Sequence, residues 1–153
     1  MPESETLRRA KQDAREGKSA STQAGEFVRE EMDHIREGKH GARSSKQAIA
    51  IGLSKARRAG VKLAPPAKGK APENVRKHAE SDLKKGTAPG ARKPSPKRSR
   101  AVTQALKREG RGAASTEQLS RQARQSARSR GPSARSAAAS RAAGTRARRG
   151  GGR

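Results

Sequence analysis

Ser44-Ser45-Lys46-Gln47-Ala48-Ile49-Ala50-Ile51-Gly52-Leu53-Ser54-Lys55-Ala56-Arg57-Arg58-Ala59-Gly60 is the stretch whose reading decides how this chain folds. Ser44 followed three residues later by Gln47 fits a capping box, in which the two side chains satisfy backbone N–H groups at a helix start. Ala48, Ile49, Gly52, Leu53, Ala56 and Ala59 then recur at three- and four-residue steps and form one apolar arc. Gly60 closes the helix, and Val61 and Leu63 are placed to fold back on its last turn. A glycine in mid-helix costs about 1 kcal/mol relative to alanine. Gly52 is therefore expected where another helix must come close. Lys55, Arg57 and Arg58 fall outside the arc. Ile51 also points away from it, toward a partner.

Upstream, Ala24, Phe27, Val28, Met32 and Ile35 share one face of a second helix over 22–37, stopped by Gly38. Glu31 projects within that stripe and is expected as an edge carboxylate paired with a nearby Arg or Lys. Residues 38–43 join the two helices, so 22–63 reads as a helical hairpin domain. Residues 1–21 carry a weak helix over 5–16, capped by Ser4 and ended by Gly17, with Leu7 as its one large apolar residue. Downstream, 64–98 reads as a Pro/Lys-rich linker holding one short helix. Pro72 opens that helix, Val75, Ala79 and Leu83 stand in register, and Gly86 ends it. Weak basic helices are expected within 99–130, over 99–109 and 116–130. An Arg-Glu-Gly-basic phrase recurs at 15–18, 36–39 and 108–111 and is best read as a shared helix stop.

The apolar supply is small. Leu, Ile, Val, Met and Phe total 16 of 153 residues, and nine of them lie between Phe27 and Leu63. Any core is centred there. The net charge is +24, unevenly spread: +4 over residues 1–60 and +20 over 61–153. From residue 119 onward there are ten arginines, no lysine, no acid and no aromatic residue. Such a segment buries too little apolar surface to offset the entropy of ordering it, so 131–153 is expected to be a disordered Arg/Ala/Ser/Gly tail. The expected fold is mostly α where ordered: a small helical hairpin, weak flanking helices and a long disordered basic C-terminal tail.

A basic segment of this density suits a polyanion, and nucleic acid is the commonest one. Arg121, Arg124 and Arg128 would form one cationic stripe on a helix. Arg130, Arg135, Arg141, Arg146, Arg148 and Arg149 extend the charge, and arginine pairs with phosphate in bidentate fashion. Ser95-Pro96-Lys97-Arg98 has a form able to turn tightly and present two cations to a narrow groove. With Arg100 it adds a basic cluster ahead of the tail. For contact with base edges, only Lys46, Lys55, Arg57 and Arg58 of the best-specified helix are candidates.

Catalysis is not expected. The chain has no Cys, no Gly-rich phosphate loop after a strand, and no metal-ligand spacing among His34, His40 and His78. No catalytic residue, metal ligand, cofactor or small-molecule substrate is assigned. Phe27 is the single aromatic residue, so stacking on RNA bases is poorly supported. No apolar run is long enough for a membrane span or a signal peptide, and the Pro2-Glu3-Ser4-Glu5 start has the wrong sign for export.

The run 45–60, with Val28-Arg29-Glu30-Glu31-Met32 and Arg36-Glu37-Gly38-Lys39 upstream, resembles small basic bacterial proteins that carry a domain of unknown function. These are often labelled DNA-binding or plasmid-stabilisation proteins. The tail is similar to bacterial linker-histone-like proteins, and Ser95–Arg98 resembles the Ser-Pro-Lys-Lys elements of linker-histone tails. The resemblance implies a bacterial cytoplasmic origin, which with the charge places the protein at the nucleoid. The expected function is non-enzymatic, largely sequence-independent DNA binding of a histone-like kind. An RNA- or ribosome-associated role, and a protein-interaction or self-association module at 22–63, are the competing classes.

Overall fold

The computed structural model describes residues 1–90 and 95–150, with side chains through 148. Every regular element among them is helical: α1 (Ser4–Arg15), α2 (Ala20–Arg36), α3 (Ser45–Arg58), α4 (Glu73–Thr87), α5 (Pro96–Lys107), a 3-10 turn at Gly112–Ala114, α6 (Thr116–Ser129) and α7 (Gly131–Gly150). The chain divides into two compact units, Met1–Ser115 and Thr116–Arg153.

In the first unit, α2 and α3 pack as the expected hairpin, α1 lies against α2, and α4 lies against α3. Phe27 and Ile35 of α2 are fully buried, as are Ala48 and Ala56 of α3. Ala10, Ala24, Phe27, Ala56 and Val61 form one buried cluster, with Leu7, Ala20, Leu53 and Leu63 packed around it. Val61 and Leu63 thus fold back as their spacing predicts. Burying a side chain such as Phe27 contributes about 1.5–3 kcal/mol, so a core this small leaves little margin.

The helix ends follow their local chemistry. Gly17, Gly38 and Gly60 all take the left-handed conformation, with φ of +70°, +76° and +96°. Each sits in a Schellman motif. Lys18, Lys39 and Val61 donate back to the carbonyls of Asp13, His34 and Ala56, which satisfies carbonyls the helix leaves over. The third Arg-Glu-Gly-basic phrase differs. α5 ends just before it, but Gly110 is not left-handed. Ser44 caps α3 by accepting from the Gln47 N–H at 3.2 Å. Gln47 Oε1 reaches one residue further than a standard box and accepts from the Arg43 N–H at 2.7 Å. Ser4 is not the cap of α1. It is the first helical residue, and Glu3 occupies the cap position with its side chain committed elsewhere.

Two glycines are set by packing. A Cβ on Gly52 would lie 2.7 Å from the Val28 Cα, so α2 and α3 touch backbone to backbone there. A Cβ on Gly86 would lie 1.8 Å from the Arg57 carbonyl oxygen. Gly86 therefore does not end α4, which continues to Thr87. It lets the end of α4 press on the end of α3.

The segment after α5 also belongs to this unit. Gly41 and Ala42, in the α2–α3 connection, donate backbone N–H groups to the carbonyls of Leu106 and Gly110 at 2.9 and 3.1 Å. Ser45 Oγ donates to the Ala113 carbonyl at 2.5 Å. Ala113 and Ala114 are buried. The hairpin is thus the centre of a larger unit rather than a domain alone.

In the second unit, α6 and α7 meet at Gly131, whose φ is +76°. The expectation of a long disordered tail is overturned here, because α7 is a helix of 20 residues. Entropy and burial decide whether a segment packs, but helix formation is also local. Alanine and arginine are among the strongest helix formers, and Pro132 suits a first turn. Arg153 and the rest of 151–153 lie outside the described residues. Among the described residues, no helix is long and apolar enough to cross a membrane.

Candidate nucleic-acid interface

The cations nominated from sequence separate into two groups. On α3, Lys46 is exposed. Lys55 turns inward: its Nζ lies 2.7 Å from Glu31 Oε2 and 3.4 Å from Glu30 Oε1. Arg57 is buried, and its Nε and Nη2 donate to the carbonyls of Leu63 and Ala64 at 3.1 and 3.2 Å. Burial holds the Arg57 guanidinium below its ordinary pKa, against the opposing charge of Asp82. Arg58 Nε donates to Asp82 Oδ1 at 2.7 Å, with half of the side chain exposed. Lys55 and Arg57 are therefore occupied inside the fold. Their contribution is to close α3 against α2 and against the chain that follows Gly60.

Lys97, Arg98 and Arg100 are exposed on α5. Ser95 is the residue before the helix and Pro96 its first residue, so the expected tight turn is the first turn of a helix. Ala91-Arg92-Lys93-Pro94 lies outside the described residues. On α6, Arg121, Arg124 and Arg128 are exposed and stand three and four residues apart, on one face. Arg121 Nη2 pairs with Glu117 at 3.3 Å, and Arg124 Nη2 donates to Ser120 Oγ at 2.8 Å. Arg130 Nε donates to the Ser126 carbonyl at 3.3 Å and is otherwise exposed. On α7, Arg135, Arg141, Arg146 and Arg148 are exposed. At 100° per residue, Arg135 and Arg146 share one side, with Arg141 and Arg148 roughly opposite. The side chain of Arg149 lies outside the described residues.

The sequence did not reveal a buried polar cluster at the C-terminal end of α2. Glu31 is fully buried rather than at an edge, although its cation partner, Lys55, is of the expected type. Glu30 is also buried. Burial alone would raise the Glu30 carboxyl, but hydrogen bonds from Thr6 and the Glu3 N–H, together with Lys55, outweigh it and hold it low. Glu3 Oε1 accepts from His34 Nε2 at 2.9 Å and Lys39 Nζ at 3.2 Å. Those two bonds hold the Glu3 carboxyl below the usual range. His40 Nε2 lies 3.2 Å from Glu31 Oε1. Spacing along the chain showed no metal-ligand pattern in the histidines. In space, ligand atoms of Glu31, His34 and His40 come within 4.8 Å of one another. The one legible signal was Glu31 and His34 at i and i+3 on one helix face, which needs His40 from the loop to acquire meaning.

No curated protein and no solved structure matches this chain. The family model that does match spans residues 15–68, from the end of α1 through α3 into the stretch before α4, and leaves the whole of α5, α6 and α7 outside it. Residues 15–68, which hold the hairpin at the centre of the first unit, are thus similar to DUF6496, a family of unknown function.

Proposed function

We propose that this protein binds nucleic acid without catalysis and with little sequence preference, DNA before RNA, in the manner of a nucleoid-associated protein. The observation that carries the reading is the arginine surface of α6 and α7. It projects exposed guanidinium groups from helices that hold a single acid, Glu117. Arginines on opposite sides of α7 neutralise phosphate wherever it approaches, but no few fixed side chains are aimed at a groove. That favours phosphate contact over base readout. Lys97, Arg98 and Arg100 on α5 add to the same charge. Lys55 and Arg57 take no part, being engaged within the first unit.

The test is salt dependence. With about 8 phosphates engaged, log K for duplex DNA falls by about 7 per decade of salt. Binding nearly constant between low and moderate salt overturns the proposal. Competition between duplex DNA and structured RNA at matched salt separates the two polymers, since charge alone does not.

A further inference from the structure

We propose that Glu31, His34 and His40 form a binding site for a divalent d-block cation such as Zn2+. Glu31 and His34 stand at i and i+3 on α2, so they project from one face, and His40 comes from the connection to α3. Their ligand atoms lie within 4.8 Å of one another. Tetrahedral zinc with bonds of about 2.0–2.1 Å needs its ligands about 3.3 Å apart, a contraction that small side-chain rotations supply.

Three features point to a cation here. Glu31 is fully buried, and neither of its oxygens accepts an aligned hydrogen bond. Lys55 forms an ion pair with Oε2, which leaves Oε1 to His40. Next, the outer hydrogen bonds orient both rings. His40 Nδ1 lies 3.0 Å from the Gly41 carbonyl oxygen, which can only accept, so Nδ1 carries the proton. Its Nε2 then meets Glu31 Oε1 at 3.2 Å as one acceptor facing another, unless a positive species lies between them. His34 Nε2 is held by the Glu3 carboxylate, which leaves Nδ1 as its free nitrogen. A carboxylate or carbonyl on the outer nitrogen is the arrangement that usually supports a metal-bound histidine. Finally, the carboxylates of Glu3, Glu30, Glu31 and Glu37 outnumber the ammonium groups of Lys39 and Lys55 that pair with them. A mixed imidazole and carboxylate set suits zinc and its d-block neighbours better than magnesium or calcium. Bound there, the ion would tie α2 to the connection whose Gly41 and Ala42 hold residues 106–114.

Stripped of metal and kept free of nucleic acid, the full chain should bind Zn2+ one to one in calorimetry, with a micromolar or lower dissociation constant. His34→Gln and His40→Gln should each weaken binding at least tenfold, whereas His78→Gln, on the exposed face of α4, should not. Should either variant fail to fold, imidazole nitrogen resonances of the wild-type chain decide. Zinc shifts those of His34 and His40 and spares His78. Equal affinity in all variants, no saturation below millimolar zinc, or unshifted His34 and His40 resonances overturns the site. The polar cluster is then bridged by a proton only.

Discussion

At the residue scale, Lys55 and Gly52 do the least replaceable work in the hairpin. Lys55 is the ammonium that reaches both Glu30 and Glu31, whose side chains are 2% and 0% exposed. Removing one member of a buried pair leaves the other charged and unpaired, at a cost of about 3–5 kcal/mol. Lys55→Met should therefore shift the urea midpoint strongly downward, while Lys46→Met, on the exposed side, should stay within about 0.5 kcal/mol. Equal effects of the two would mean that Glu31 is not buried. Gly52→Ala poses the opposite problem. Helix propensity alone favours it by about 1 kcal/mol. The Val28 Cα, 2.7 Å from the added Cβ, forces the helices apart instead. The net change should be a loss of about 1–3 kcal/mol in thermal unfolding, and a gain would mean that α2 and α3 do not touch there. The close approach at Gly52 was legible because mid-helix glycine is expensive without a neighbour. The depth of Glu31 was not, because a carboxylate in an apolar stripe reads equally well as its edge.

At the element scale, local signals placed α1 to α6, missed α7, and misjudged what several of the others do. Schellman stops at Gly17, Gly38 and Gly60 follow from backbone chemistry within a few residues. Gly86 carries the same sequence signal, yet contact with the Arg57 carbonyl explains it instead. The face of α6 that bears Arg121, Arg124 and Arg128 gives a testable count. Replacing all three with Gln should reduce the salt slope of DNA binding by about 2–3, since each phosphate contact contributes about 0.9. An unchanged slope, measured by fluorescence anisotropy across a salt series, would move the contact surface off α6. Arg121 already faces Glu117, so its share should be the smallest of the three.

For the whole molecule, the boundary that matters falls at Ser115. The Gly86 helix stop read from the sequence offers an earlier cut, ahead of α5. The fold makes that cut damaging, because residues 106–114 pair with Gly41, Ala42 and Ser45. Deleting Thr116–Arg153 should remove most of the DNA affinity and leave the helical signal and unfolding transition of the first unit intact. Deleting everything after Lys85 should lower its unfolding temperature as well. Equal DNA affinity after the first deletion would place binding in the wrong unit. The sequence by itself determined that residues 1–130 are mostly helical, where α1, α2 and α3 stop, where the few apolar side chains gather, and that the second half is a polycation. Those properties are local or additive: caps act within a turn, charge sums over residues, and apolar spacing marks one face. Only the tertiary structure decided which cations are spent inside the fold, that 106–114 docks on the hairpin, and that Glu31, His34 and His40 converge. Each depends on residues brought together from separate elements, and no spacing along the chain encodes the distance between two helices.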